Sequence, residues 1–262
     1  MGRNARIPRV ADRGRIVAHR GASQAAPENT LAAIDMAARM GCTWVEFDLT
    51  LFGDGTPVLH HDDRLGRVAT SASLGEAALA DLTAADLGQI DAGSWRAPEF
   101  TGERIPLLEE ALDLVEAHGL HANLELKPHG LSRETAAAAL EALARRPWAQ
   151  SRVLVSSFDL DALTAFREGA PDQPMAVLFK KPGPGWVAEA ERLRAGALHL
   201  NFRNLTASLL HEAARHGIDV RVYTINDPVL MQPFWAEGLT GVITDHPPLF
   251  MAAGAIPEEI PA

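Results

Sequence analysis

Short apolar β-type runs alternate with longer helix-type runs along almost the whole chain, from Arg15 to Thr244. Strands are expected at Arg15–His19, Thr43–Leu49, Ala122–Leu126, Arg152–Ser156, Met175–Phe179, Ala197–Leu200, Asp219–Tyr223 and Gly241–Thr244. Helix-type stretches lie between them. The first starts at Asn29, which can cap it, presents Leu31, Ile34 and Ala38 on one face, and ends at Gly41. The others are Leu107–His118, Ser132–Ala144, Leu160–Glu168, Trp186–Arg194, Ala207–His216 and Pro228–Ala236. Gly119, Gly169, Gly196, Gly217 and Gly238 fall where helix C-caps are expected. Repeated strand–helix units return each strand parallel to the last, and eight of them close into a (β/α)8 barrel of the TIM type. An open doubly wound sheet satisfies the same alternation and is the structural alternative.

One connection breaks the rhythm. Pro57 to Pro106 separates the second strand from its helix, and it is rich in Gly, Ser and Pro (Gly66, Ser71, Ser73, Gly75, Gly93, Pro98, Gly102). Insertions of that length in compact domains are usually functional. It is expected to be a small, loop-like excursion over the barrel's top, within a single domain spanning 1–262. The stretch Ile256–Ala262 is expected to fray.

Apolar residues make up 47% of the 262, enough for a large core. A formal net charge of -10 opposes general binding to nucleic acid or an anionic membrane, both of which need a basic surface. Cys42 is the single cysteine, so thiolate clusters and internal disulfides are excluded. Met1 to Arg15 has no apolar run of signal-peptide length, and Arg6 stands where a myristoylation signal wants Ser or Thr. No apolar stretch is long enough to span a bilayer. A cytoplasmic protein is expected, and nothing in the sequence specifies an oligomeric state.

In such a barrel the chemistry sits at the C-terminal ends of the strands. The first strand ends in His19-Arg20-Gly21, the second holds Glu46-Phe47-Asp48, and the third ends in Glu125-Leu126-Lys127. Glu46 and Asp48, two apart on a strand, face one side, and Glu125 on the next strand can join them. Three carboxylates about 4 Å apart repel by about 4 kcal/mol per pair at an effective dielectric near 20, so they need a cation or a shared proton. All-oxygen ligation points to a hard ion, Mg2+ or Ca2+, with Mn2+ also suitable. Arg20 and Lys127 suit a phosphate's oxygens. With three carboxylates and a divalent ion they leave one positive charge, which a phosphodiester neutralises. Phosphodiester cleavage needs a proton acceptor and a proton donor, and His19 with either His60 or His61 fills those jobs. Alternation along a short strand aims only one of His60 and His61 inward.

These residues resemble the signature of the glycerophosphodiester phosphodiesterase family. The matching pieces are HRG at 19–21, PENT at 27–30, EFD at 46–48, DGTPVLHHDDRLGR at 54–67, ELKP at 125–128, SSF at 156–158 and TDHP at 244–247. DAGSW at 91–95, HLN at 199–201 and VYTIN at 222–226 resemble the cytosolic bacterial branch linked to glycerol-3-phosphate uptake. The resemblance implies a (β/α)8 barrel that hydrolyses glycerophosphodiesters, such as glycerophosphocholine or glycerophosphoethanolamine, to sn-glycerol 3-phosphate and an alcohol. It implies Glu46, Asp48 and Glu125 as metal ligands and His19 and His61 as general acid and base, His61 being the one followed by Asp62. It implies Arg20 and Lys127 on phosphate, and Glu28 close by as a ligand or as a partner of Arg20 or His19. In related enzymes the substrate's glycerol 2-hydroxyl is thought to attack phosphorus.

Two features depart from the family pattern. Tyr223 stands where many members have Trp, at a position expected to flank the glyceryl group. The loop Lys180–Trp186 is either solvated or a rim that packs Trp186 on a choline cation. Two further functions stay open on sequence: cleavage of a larger lysolipid, and binding of phosphodiesters without turnover.

Overall fold

The computed structural model describes residues 7–256 apart from Ala11, Arg13 and Ala253. The first six residues, and 257–262 of the stretch expected to fray, lie outside the described residues; Ile256 itself packs against the main core. In chain order the elements are β1 (Ile16–Ala18), α1 (Leu31–Arg39), β2 (Trp44–Leu51), β3 (Pro57–Leu59), α2 (Leu108–Ala117), β4 (His121–Leu126), α3 (Ser132–Ala144), α4 (Ala149–Arg152), β5 (Val153–Ser157) and α5 (Leu160–Gly169). They continue with β6 (Met175–Phe179), α6 (Trp186–Arg192), β7 (Ala197–Asn201), α7 (Ala207–Arg215), β8 (Asp219–Tyr223), α8 (Gln232–Trp235), β9 (Gly241–Thr244) and α9 (Pro247–Met251).

Eight of the strands pair in parallel around a closed ring: β1, β2, β4, β5, β6, β7, β8 and β9, with β9 returning to β1. This is the (β/α)8 barrel, and closure removes the open-sheet alternative. Strand alternation sorts the side chains. On β2, Val45, Phe47 and Leu49 join the main core beneath the helices. Trp44 instead packs inside the barrel with Val17, Leu154, Ala176, Ala197 and Ile243. Glu46 and Asp48 share Trp44's parity, so the same alternation turns both carboxylates inward.

Several boundaries moved for identifiable reasons. Thr30, not Asn29, caps α1: its Oγ1 accepts from Ala33 N at 3.2 Å. Asn29 has φ 56 and its side chain is used elsewhere. Gly119, Gly217 and Gly238 take the left-handed conformation expected of C-cap glycines, but Gly169 and Gly196 do not; Arg194 takes it after α6. Trp186 is buried at the start of α6 and donates to Glu212 Oε2 at 3.3 Å, so it is not available to stack on a choline cation.

The insertion is more ordered than its composition suggests. β3 pairs antiparallel with the end of β2 through Leu49–Leu59, Thr50–Val58 and Leu51–Pro57. Three 3-10 turns follow, at Leu79–Asp81, Ala84–Gln89 and Pro98–Phe100. Phe52, Val58, Leu65, Leu79, Leu82 and Ile90 form a second apolar core separate from the barrel's. Those residues lie too far apart in sequence to show helical or strand periodicity, which is why the segment reads as loop. Among the described residues no helix is long and apolar enough to cross a membrane. Leu65 is 1% exposed within the second core. Leu65→Ala is expected to lower the unfolding free energy by about 2–5 kcal/mol in urea titrations. A change under about 0.5 kcal/mol would show that the insertion has no packed core.

Candidate active site

The site forms where β1, β2, β4 and β9 end together. Glu46, Asp48 and Glu125 each present a carboxylate oxygen within 4.8 Å of the other two. Register explains it: Asp48 and Glu125 are direct partners across the β2–β4 pair. All three are buried.

Two cations lie on this cluster. The Arg20 backbone N–H donates to Glu46 Oε2 at 2.8 Å, and its guanidinium reaches Asp48 Oδ2 at 3.1 Å and Glu28 Oε1 at 2.6 Å. The left-handed backbone of Arg20, φ 55, turns both groups the same way. Gly21 follows at φ 78, where an added Cβ would lie 2.5 Å from the backbone of Ala33, so only glycine fits the turn. Lys127 Nζ pairs with Glu125 and lies 3.6 Å from Asp48 Oδ1. Asn29 bonds Asp48 twice: Nδ2 donates to Oδ2 at 2.8 Å, and Oδ1 accepts from the Asp48 backbone N–H at 3.0 Å.

The carboxylates respond unequally. Burial raises the pKa of Glu46 well above the ordinary value, and repulsion from Asp48 and Glu125 adds to it. Burial and then Asp48 push Glu125 up to about 7, against the pull of Lys127. Burial opposes charge on Asp48 as well, but Arg20, Lys127, His61 and Asn29 outweigh it and hold the group down at about 2. Glu46 Oε1 is buried with no hydrogen-bond partner. Two acids kept from ionising and one bare inward oxygen form a donor set that a hard divalent cation fits.

Each candidate histidine is backed by a carboxylate. His19 Nδ1 and Asp245 Oδ1 are 2.6 Å apart. Asp245 also accepts from Ser23 Oγ at 3.0 Å and from Asn226 Nδ2 at 2.8 Å. These bonds, chiefly the one from His19, overcome the effect of burial and lower the Asp245 pKa to about 2. His61 Nδ1 and Asp62 Oδ1 are 2.7 Å apart. Burial lowers the His61 pKa more than nearby Asp48 raises it, which favours the neutral ring. A neutral imidazole that donates Nδ1–H to a carboxylate leaves Nε2 free to take a proton. His60 faces the other way: it is buried, and its Nε2 bonds the Arg64 carbonyl at 3.2 Å.

Glu28 pairs with Arg20, not with His19. Its second partner is Arg67, which holds both Glu28 oxygens at 2.9 and 2.7 Å and reaches Asp62 Oδ2 at 2.7 Å. Tyr223 lies at the end of β8, donates to the Phe179 carbonyl at 3.2 Å and meets the Phe158 ring edge-on at 5.8 Å. Lys127 Nζ sits 5.3 Å from the centre of that same Phe158 ring. Arg67, Asp245 and Asn226 carry no signal of a site role in the sequence, and Asn29 reads there as a helix cap. All four lie inside the quoted motifs PENT, DDRLGR, TDHP and VYTIN.

A buried carboxylate cluster under two cations, at the mouth of a parallel barrel, is suited to holding a metal ion beside an anionic substrate. Residues 19–249 match the model of the glycerophosphoryl diester phosphodiesterase family. YhdW of Bacillus subtilis is 32% identical over 247 residues, covering 91% of this chain and 97% of the relative. A glycerophosphodiester phosphodiesterase of Caldanaerobacter subterraneus is 29% identical, covering 88% and 94%. A phosphodiesterase structure from Oleispira antarctica, in complex with the product sn-glycerol-3-phosphate, is 36% identical with a TM-score of 0.85, covering 91% and 96%. This chain belongs to the glycerophosphoryl diester phosphodiesterase family, and its class is phosphoric diester hydrolase.

The raised pKa of Glu125 has a measurable consequence. In chelator, its carboxyl is protonated in folded and unfolded chains alike below about pH 4.5, the unfolded value. From there to about pH 7 it is protonated only in the folded chain, so the stability that it contributes is lost as pH rises through that window. Glu125→Gln mimics the protonated form. The wild type is expected to match Glu125→Gln at the acid end and fall below it by pH 7.5, with Mg2+ restoring only the wild type. Thermal midpoints that differ by a constant amount across the range would contradict this.

Proposed function

We propose that this chain hydrolyses glycerophosphodiesters to sn-glycerol 3-phosphate and an alcohol. One divalent cation, with Mg2+ preferred over Ca2+ or Mn2+, would be held by Glu46, Asp48 and Glu125. The observation that carries the reading is the convergence of three buried carboxylates with Arg20 and Lys127 beside two carboxylate-backed histidines. The whole chain, 1–262, is read as one barrel domain bearing the 57–106 insertion. Cys42, buried and without a disulfide partner, suits the cytoplasmic location included in this reading.

The bound cation would polarise the phosphoryl group and acidify a coordinated hydroxyl. The chain's own residues do the rest. Arg20 and Lys127 bring fixed positive charge to the phosphate oxygens, which carry most charge in the transition state. Glu28 and Arg67 add one charge of each sign, so the balance that favours a singly charged phosphodiester is kept. Asp245 and Asp62 hold His19 and His61 in the tautomer with Nε2 free. One of these nitrogens takes the proton of the attacking hydroxyl, and the other, protonated, gives one to the departing alkoxide. Tyr223 and Phe158 form an aromatic edge beside Lys127, suited to flank the glyceryl carbons.

The direct test is a coupled assay for glycerol 3-phosphate released from glycerophosphocholine. Activity is expected with Mg2+, none with chelator, and recovery on adding metal back. His19→Ala and His61→Ala should each reduce turnover at least about a hundredfold. Near-wild-type rates in both would remove the two-histidine mechanism. Asp245→Asn should lower kcat and displace the pH–rate profile while changing KM little, because it acts through His19. An unmoved profile would mean that Asp245 does not set the state of that ring.

A further inference from the structure

On the insertion side of the site a cavity of about 500 Å³ opens against His61. The segment that follows β3 lines it with Asp63, Arg64 and Gly66, joined by Glu76 from further along the insertion and His129 from the loop after β4. The volume falls within the usual range for small-ligand sites. The barrel's own rim contributes His129, and the rest of the lining comes from the inserted segment.

Local structure fixes the wall. Leu65, in the insertion's core, donates its backbone N–H to the Ala77 carbonyl at 2.9 Å, and Arg64 bridges to Ala78. The segments around 65 and 77 therefore run side by side. Gly66 at φ 132 adopts a backbone that other residues avoid, and an added Cβ there would lie 3.3 Å from Glu76 Cγ. The missing side chain lets Glu76 lie against the backbone of the facing segment.

Charge on the lining is uneven. Arg67 is committed to Glu28 and Asp62. Arg64 lies 3.7 Å from Asp63. Glu76 makes no ion pair or hydrogen bond among the described residues. Histidines aside, the lining holds three carboxylates against two guanidinium groups, and the unmatched carboxylate is Glu76. No Phe, Tyr or Trp lines the space, so it has no ring face to favour a quaternary ammonium. A carboxylate does favour a primary ammonium, which can donate to it.

We propose that this cavity is the subsite for the leaving alcohol, and that Glu76 selects substrates whose alcohol carries a primary ammonium group. The proposal rests on the phosphodiesterase reading above and specifies its substrate class. It also places the departing alkoxide on the His61 side of the phosphorus.

The test compares kcat/KM for glycerophosphoethanolamine, glycerophosphocholine and glycerophosphoglycerol, with Mg2+, in the wild type, Glu76→Gln and Glu76→Lys. The wild type should favour the ethanolamine ester over the neutral glycerol ester. Glu76→Gln should reduce that ratio about threefold, the scale of a solvent-exposed ion pair. Glu76→Lys should reduce it further, and high salt should narrow it in the wild type alone. A ratio unmoved in both variants overturns the subsite and leaves the hydrolase reading standing. Turnover of none of the three esters by the wild type overturns the hydrolase reading and the subsite with it.

Discussion

Repulsion among three buried carboxylates organises this molecule's active end. Strand register puts Asp48 opposite Glu125 and strand alternation puts Glu46 on the same inward face, so the backbone forces the acids together. The fold must then supply positive charge where burial makes charge costly. Arg20 and Lys127 do so at the ends of β1 and β4. The uneven ionisation of the three acids, with Asp48 charged and Glu46 and Glu125 held back, shows that two side-chain cations do not complete the balance.

From that cluster a chain of ion pairs runs outward. Arg20 links Asp48 to Glu28, Glu28 links to Arg67, Arg67 to Asp62, and Asp62 to His61. The chain joins barrel strands to the insertion, so the insertion's packed core also positions His61. His19 is held separately, by Asp245 on the far side of the β1–β9 seam. The two histidines thus rest on different parts of the fold, one on the closed barrel and one on the added segment.

The barrel was legible in the sequence because βα alternation is local, and each short apolar run reports a buried strand. Glu46, Asp48 and Glu125 were legible because a period of two and a strand-end location are enough to bring them together. Arg67 and Asp245 were not. Arg67 reaches Glu28 from 39 positions away, and Asp245 reaches His19 from 226 away, so no local periodicity points to either contact. Asn29 illustrates competition between two uses of one residue type. Its amide suits a helix cap, but Thr30 takes that task, and Asn29 adopts a left-handed backbone to clamp Asp48. The insertion's core was hidden because its apolar residues follow no regular spacing. Trp186, exposed by expectation, is buried because its indole completes the packing of α6.

Everything proposed for the chemistry depends on one ion seated among the β2 and β4 carboxylates. Anomalous scattering from crystals soaked in Mn2+ tests this most directly. A single strong peak bonded to oxygens of Glu46, Asp48 and Glu125 is the predicted result, with Lys127 drawn away from Glu125. A peak elsewhere, or unchanged contact of Lys127 with Glu125 at saturating Mn2+, would contradict the account.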